Sequence, residues 1–161
     1  MNAGMVMYDE EFRQVQGLCA RLQRDSNAKA VLLIDKNGQA IAEAGETQTL
    51  DVTSLASLTA GNVATTGGIA KLLEEPEFAG AFHEGRSTHV MLHVVMERLI
   101  LIVIFDHRSS QGLVKLRVRK AQEELGRIFE TMMRKSEAGS QSAPAGIAEI
   151  TDDDIENLFR D

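Results

Sequence analysis

A chain of 161 residues with 43% hydrophobic and 25% charged side chains is sized for one domain plus a short tail. These values exclude a second full domain, wholesale disorder and a low-complexity fibre. Seventeen Lys and Arg against twenty-four Asp and Glu leave a formal charge of −7, which argues against nucleic acid, since a phosphate backbone demands a dominantly basic surface.

From Asp9 to Arg24 the residues Phe12, Val15, Leu18, Cys19 and Leu22 recur at three- and four-residue spacing and predict a first helix with one buried face. Cys19, the only cysteine, lies among leucines and reads as a buried thiol, not a nucleophile. Ala30 to Ile34 (AVLLI) predicts a buried strand. Asp35-Lys36-Asn37-Gly38 then predicts a type I′ turn that pairs Val31–Ile34 with Gln39–Glu43 as a hairpin.

A second helix is expected from about Leu50 to Glu74, stopped before Pro76, with Leu55, Leu58, Asn62, Thr66, Ile69 and Leu73 on its core side. Three strands follow: Phe78–Glu84, Thr88–Met96 and Leu99–Phe105, the last apolar on both faces and so central in a covered sheet. Ser109 or Ser110 caps a third helix, whose stripe from Leu113 to Met133 runs down to Lys135. The expected fold is α/β, in the order α-β-β-α-β-β-β-α, with a five-stranded, mostly antiparallel sheet between helical layers. Residues 1–7 are read as a flexible N-terminus, 8–135 as the domain, 136–147 as a flexible linker, and 148–161 as a short acidic amphipathic tail.

Catalytic constellations are not found, and no cofactor or metal is expected. The glycines of Gly61-Asn62-Val63-Ala64-Thr65-Thr66-Gly67-Gly68 lie inside a helix without the Gly-Lys-Ser/Thr of a phosphate loop. Asp35-Lys36-Asn37-Gly38 lacks the later ligands of a calcium loop. His89 and His93 share a strand face and form a conceivable metal pair, but no third ligand accompanies them, and structural histidines are commoner. The Lys115, Arg117, Arg119, Lys120 cluster reads as a solvated helix face and Arg86 as a turn arginine. The uncharged stretch 52–70 is too rich in Thr, Ser, Gly and Asn to insert in a membrane, and no secretory leader precedes Asp9. A cytoplasmic location is expected.

Three features point to partners. Opposite the second helix's leucine stripe stand Ser57, Ala60, Gly61, Ala64, Gly68 and Lys71, a small and nearly neutral face. Each helical glycine costs about 1 kcal/mol relative to Ala, which close approach of another surface would offset. Cover by a neighbouring element of the same chain is the alternative. The short strand with Phe78, Gly80 and Phe82 is expected at a sheet edge, open to pairing across a two-fold axis. In the tail, Thr151 and Asp154 form a capping-box-like start, and Ile155, Leu158 and Phe159 line one side, suited either to docking in a partner's groove or to a solubilising end.

Over about Tyr8 to Lys135 the sequence resembles the roadblock family of longin-like dynein light chains. The matching motifs are DKNG after AVLLI, TAGNVATTGGIAKLL, HVMLHVV, LILIVIF and SSQGLVKLRVRKAQEEL. Within the family it looks most similar to the bacterial members of gliding motility and cell polarity. The resemblance implies a homodimer joined through the second helix and third strand, its paired helices forming a platform for a small Ras-like GTPase. It also implies activation of GTP hydrolysis by repositioning the GTPase's own catalytic groups, with no arginine finger, no enzyme activity and no small-molecule substrate. A cell pole is implied as a place of enrichment. A scaffold for a GTPase or motor complex is the competing reading, and a small-molecule sensor a weaker third.

Overall fold

In the computed structural model, which describes residues 9–141, the chain runs α1 (Asp9–Asp25), β1 (Ala30–Asp35), β2 (Ala40–Gly45), α2 (Val52–Leu72), β3 (Gly80–Glu84), β4 (His89–Val95), β5 (Leu99–Phe105) and α3 (Gln111–Gln141). The strands form one antiparallel sheet in the order β2-β1-β5-β4-β3. This is the element order and sheet expected from the sequence. β5, every residue of which is buried, occupies the centre, as its two-faced apolar run requires.

The pleat divides the core in two. On one face Val31, Leu33, Leu101, Val103 and Phe105 meet α1 through Val15, Leu18 and Leu22 and α3 through Val118, Leu125 and Phe129. On the other, Leu32, Ile34, Ile100 and Ile102 meet α2 alone, through Ala56 and Ala60. Cys19 is buried in the first core, and desolvation pushes its thiol pKa up to about 12. Phe12, expected in that core, is exposed: it lies at the margin of the α1 stripe, where burial falls instead on Glu11, whose carboxylate accepts a hydrogen bond from Lys135.

The turn expected in the first hairpin is found in the second. At Asp35-Lys36-Asn37-Gly38 only Gly38 has positive φ, so the predicted type I′ turn is absent. The Asp35 carboxylate instead accepts from the amides of Asn37 and Gln39, and a register shift beside Ile41 absorbs the extra residue. Positive φ at both central positions occurs at Met96 and Glu97, between β4 and β5.

The two sheet edges differ. On β2 the Gln16 side chain donates to the Glu43 carbonyl and accepts from its amide, closing an outward backbone pair. Among the described residues no side chain bonds the outer backbone of β3. That strand begins at Gly80, two residues later than predicted, leaving Phe78 in the approach to it. α3 continues to Gln141, so 136–141 is helical where a linker was expected; the small residues there weaken a helix without stopping it, and the next proline in the sequence is Pro144. The rest of the linker and the tail with Ile155, Leu158 and Phe159 lie outside the described residues.

Candidate functional site: the outer face of α2 and the edge of β3

α2 is bounded by strong local signals. The Asp51 carboxylate caps its N-terminus, accepting from the Ser54 amide at 3.1 Å and hydroxyl at 2.6 Å, bonds that hold its pKa below the usual aspartate value. At the other end the Glu75 amide reaches the Ala70 carbonyl and the Glu74 amide reaches that of Lys71, with Glu74 at positive φ, a Schellman closure ahead of Pro76.

The face that α2 turns to the sheet is its small one. Ala56, Thr59, Ala60 and Ala70 are buried and Val63 and Gly67 half-buried, a stripe at three- and four-residue spacing that lets the helix backbone lie close on the strands. The stripe expected inward is largely outside: Leu58 is 74% exposed, and Asn62, Ile69 and Leu73 are exposed too, as is Leu72 beside it at 84%. Only Leu55 and Thr66 of that stripe are half-buried. The rule that the larger apolar residues mark the core failed because a helix covering a flat sheet alone packs closest through alanine.

Of the residues expected to face a partner, Ser57, Gly61, Ala64, Gly68 and Lys71 are exposed, whereas Ala60 is not: at 8% exposure it packs on the sheet, and its neighbourhood there excludes it from any external surface. At 100° per residue Leu58, Gly61, Thr65, Gly68 and Leu72 form one outward line. A Cβ added at Gly61 or Gly68 would meet nothing within 4 Å, and the Thr65 hydroxyl donates to the Gly61 carbonyl at 2.9 Å, turning inward to its own helix. The outer face is therefore a shallow uncharged trough between large apolar side chains. Lys71 is the only charged residue of the helix.

The trough continues onto the sheet edge. Phe78, Gly80 and Ala81 close a narrow crevice of about 50 Å³ against Asn62, Val63, Thr66 and Gly67 of α2. Phe82 points to the opposite side of β3, its ring 6.0 Å from Phe105 and 5.9 Å from His89. The three expected edge residues thus do not share a face: Phe78 belongs with α2 and Phe82 with the α3 side, while Gly80 borders the crevice with its backbone and would carry a Cβ on the α3 side, 3.3 Å from His93 Nδ1.

His89 and His93 also face the α3 side. Burial lowers the His93 pKa, opposed by its hydrogen bond with Gln122 and reinforced by the positive charges of Arg119 and Lys115. His93 bonds Gln122, and His89 packs against Phe82 and Phe105 with its buried Nδ1 unpartnered; among the described residues no three His, Cys, Asp or Glu side chains converge. No helix among those residues is long and apolar enough to cross a membrane. Sequence reasoning missed Leu58, Ile69 and Leu72 as surface residues; the alanine-rich spacing of Ala56, Ala60, Val63, Gly67 and Ala70 was the available signal.

Comparison with known proteins places this geometry. A family model described as Roadblock/LC7 domain matches residues 14–105. The chain is 56% identical to Myxococcus xanthus MglB, covering 79% of this chain and 96% of that one with a TM-score of 0.75. It is 30% identical to the gliding protein MglB of Thermus thermophilus, covering 81% and 99% with a TM-score of 0.75. A structure described as MglB with tetrameric arrangement is 29% identical, with coverages of 82% and 99% and a TM-score of 0.76. No curated protein matches the chain.

Proposed function

The chain belongs to the Roadblock/LC7 family, and on that premise we propose that it is a homodimeric regulator of a small Ras-like GTPase in gliding motility and cell polarity. The observation that carries the reading is the exposed, uncharged outer face of α2 running into the open edge of β3. An apolar surface with large residues at its ends and glycines between them is costly in water and suits a helix packed antiparallel against it. β3 adds backbone pairing across the same two-fold axis. Similarity to MglB supports self-association and gliding motility as the setting.

In this reading the paired α2 helices present Ser57, Ala64 and Lys71, flanking the seam, to the switch loops of the GTPase. Binding the hydrolysis-competent switch arrangement more tightly than others shifts the GTPase population towards it, so acceleration needs no catalytic group from this chain. The regulator is not itself an enzyme. Residues 8–135 act as the domain in a cytoplasmic protein enriched at a cell pole, and the tail makes a second contact with the GTPase through Ile155, Leu158 and Phe159.

The test is single-turnover GTP hydrolysis by the cognate Ras-like GTPase with substoichiometric amounts of this protein, beside the Ala64→Arg and Gly68→Arg variants. Acceleration by wild type that folded, dimeric Ala64→Arg loses supports the activator. Complex formation without faster hydrolysis makes the protein a scaffold and overturns activation.

A further inference from the structure

The face of the molecule away from α2 carries a second groove. α1 and α3 lie antiparallel there, and along their seam are two shallow hollows of about 410 and 400 Å³, one on either side of the Arg21–Glu124 ion pair that lines both. Leu18, Leu22, Ala121 and Ile128, all nearly fully buried, contribute the groove's apolar lining among polar side chains. Its rim is basic: Arg117, Lys120 and Arg127 line it and make no ion pair among the described residues. The acids present are Glu124, bound to Arg21 at 2.5 Å, and Asp25 at the far end. The buried Nε of Arg117 has no hydrogen-bond partner, an arrangement that calls for an acceptor.

The sequence holds one segment with the complementary chemistry. Residues 150–159 (ITDDDIENLF) interleave Asp152, Asp153, Asp154 and Glu156 with Ile150, Ile155, Leu158 and Phe159. We propose that this acidic segment docks in the α1–α3 groove of its own chain. The reach suffices: α3 rises about 1.5 Å per residue, so Lys120 stands about 30 Å back from Gln141, and residues 142–151 span up to about 33 Å when extended. A segment that leaves α3 at Gln141 and turns back passes Arg127 and brings its acidic residues to the neighbourhood of Lys120. Tethering makes the encounter intramolecular, with an effective concentration in the millimolar range for a short linker. While docked, the segment lies on the side of the sheet opposite α2 and is withheld from any partner bound there.

The test uses the full chain with Arg160→Cys carrying a nitroxide; the buried, poorly ionised Cys19 leaves the new thiol as the site of labelling. Paramagnetic broadening of backbone amides is expected around Arg21, Lys120 and Glu124, and is expected to be lost in the Lys120→Glu, Arg127→Glu double variant, whose own spectrum reports that it is folded. Broadening centred on α2, or none in the groove, overturns the proposal. Broadening seen only when spin-labelled and isotope-labelled chains are mixed assigns the groove to the tail of a second copy and overturns it equally.

Discussion

Lys135 Nζ lies 2.6 Å from Glu11 Oε1, joining the first turn of α1 to the far half of α3 across an interval of 124 residues. Glu11 is almost wholly buried, and its second oxygen has no partner, so the ammonium is its one strong source of compensation. Lys135→Met strands a buried carboxylate, whereas Glu11→Gln removes the charge with the shape kept. The expected result is a larger fall in melting temperature for Lys135→Met than for Glu11→Gln, measured at pH 7.

The pair also sets a pH window. Its hydrogen bond with Lys135 lowers the Glu11 pKa below 4.5, so the stabilisation is complete above that value and is lost as pH falls through the lower folded value. Lys135 is shifted above 10.5, first by the bond to Glu11, and that contribution is complete below 10.5 and lost as pH rises through the folded value. Denaturation midpoints of wild type and Glu11→Gln are expected to differ at pH 7 and to converge in acid below the usual glutamate range.

Leu58→Asp and Leu72→Asp alter side chains that touch little within one subunit. Folding of the subunit is expected to change by about 0.5 kcal/mol or less, as for ordinary surface positions. Sedimentation at micromolar concentration is expected to show monomer for either variant and dimer for wild type; a dimer in both variants removes α2 from the interface.

Glycine substitutions separate two kinds of site. Gly45→Ala places a Cβ 2.4 Å from the Lys29 carbonyl at φ +87°, and a cost of about 1–3 kcal/mol is expected. Gly61→Ala meets open space in a helix, where alanine is favoured by about 1 kcal/mol. Urea midpoints of monomerised protein are expected to move in opposite directions.

At the turn after β4, Met96 and Glu97 both hold positive φ, 55° and 61°, a geometry that costs non-glycine residues about 1–2 kcal/mol each. Glu97→Gly is expected to gain up to about 1 kcal/mol in equilibrium unfolding, with the β4–β5 register unchanged in hydrogen exchange.

The fold was legible because its signals are redundant: the two-faced run of β5, the spacing of Val15, Leu18 and Leu22, and Pro76 after α2 each suffice locally. What was hidden depends on partners distant in sequence. Asn37-Gly38 is a strong type I′ signal, yet the Asp35 carboxylate claims two of the loop's amides and selects another turn. The inner face of α2 is chosen by how near the helix lies to the sheet, and hydrophobicity alone ranks Leu58 above Ala60 in the wrong order. Ser57, Gly61, Ala64, Gly68 and Lys71 were assigned outward correctly because small size and charge do not conflict with solvent there.

Gln16, set against the backbone of Glu43, gives the sheet a direction of growth. In the proposed homodimer, strand addition at β3 would join two sheets through their open ends and leave a β2 at each outer margin, where a side-chain amide already occupies an outward backbone pair. A third subunit adding at β2 would have to displace Gln16 from the Glu43 backbone, a cost that the β3 edge does not carry. For such a dimer, further growth is expected to come from stacking of faces and not from continued strand addition.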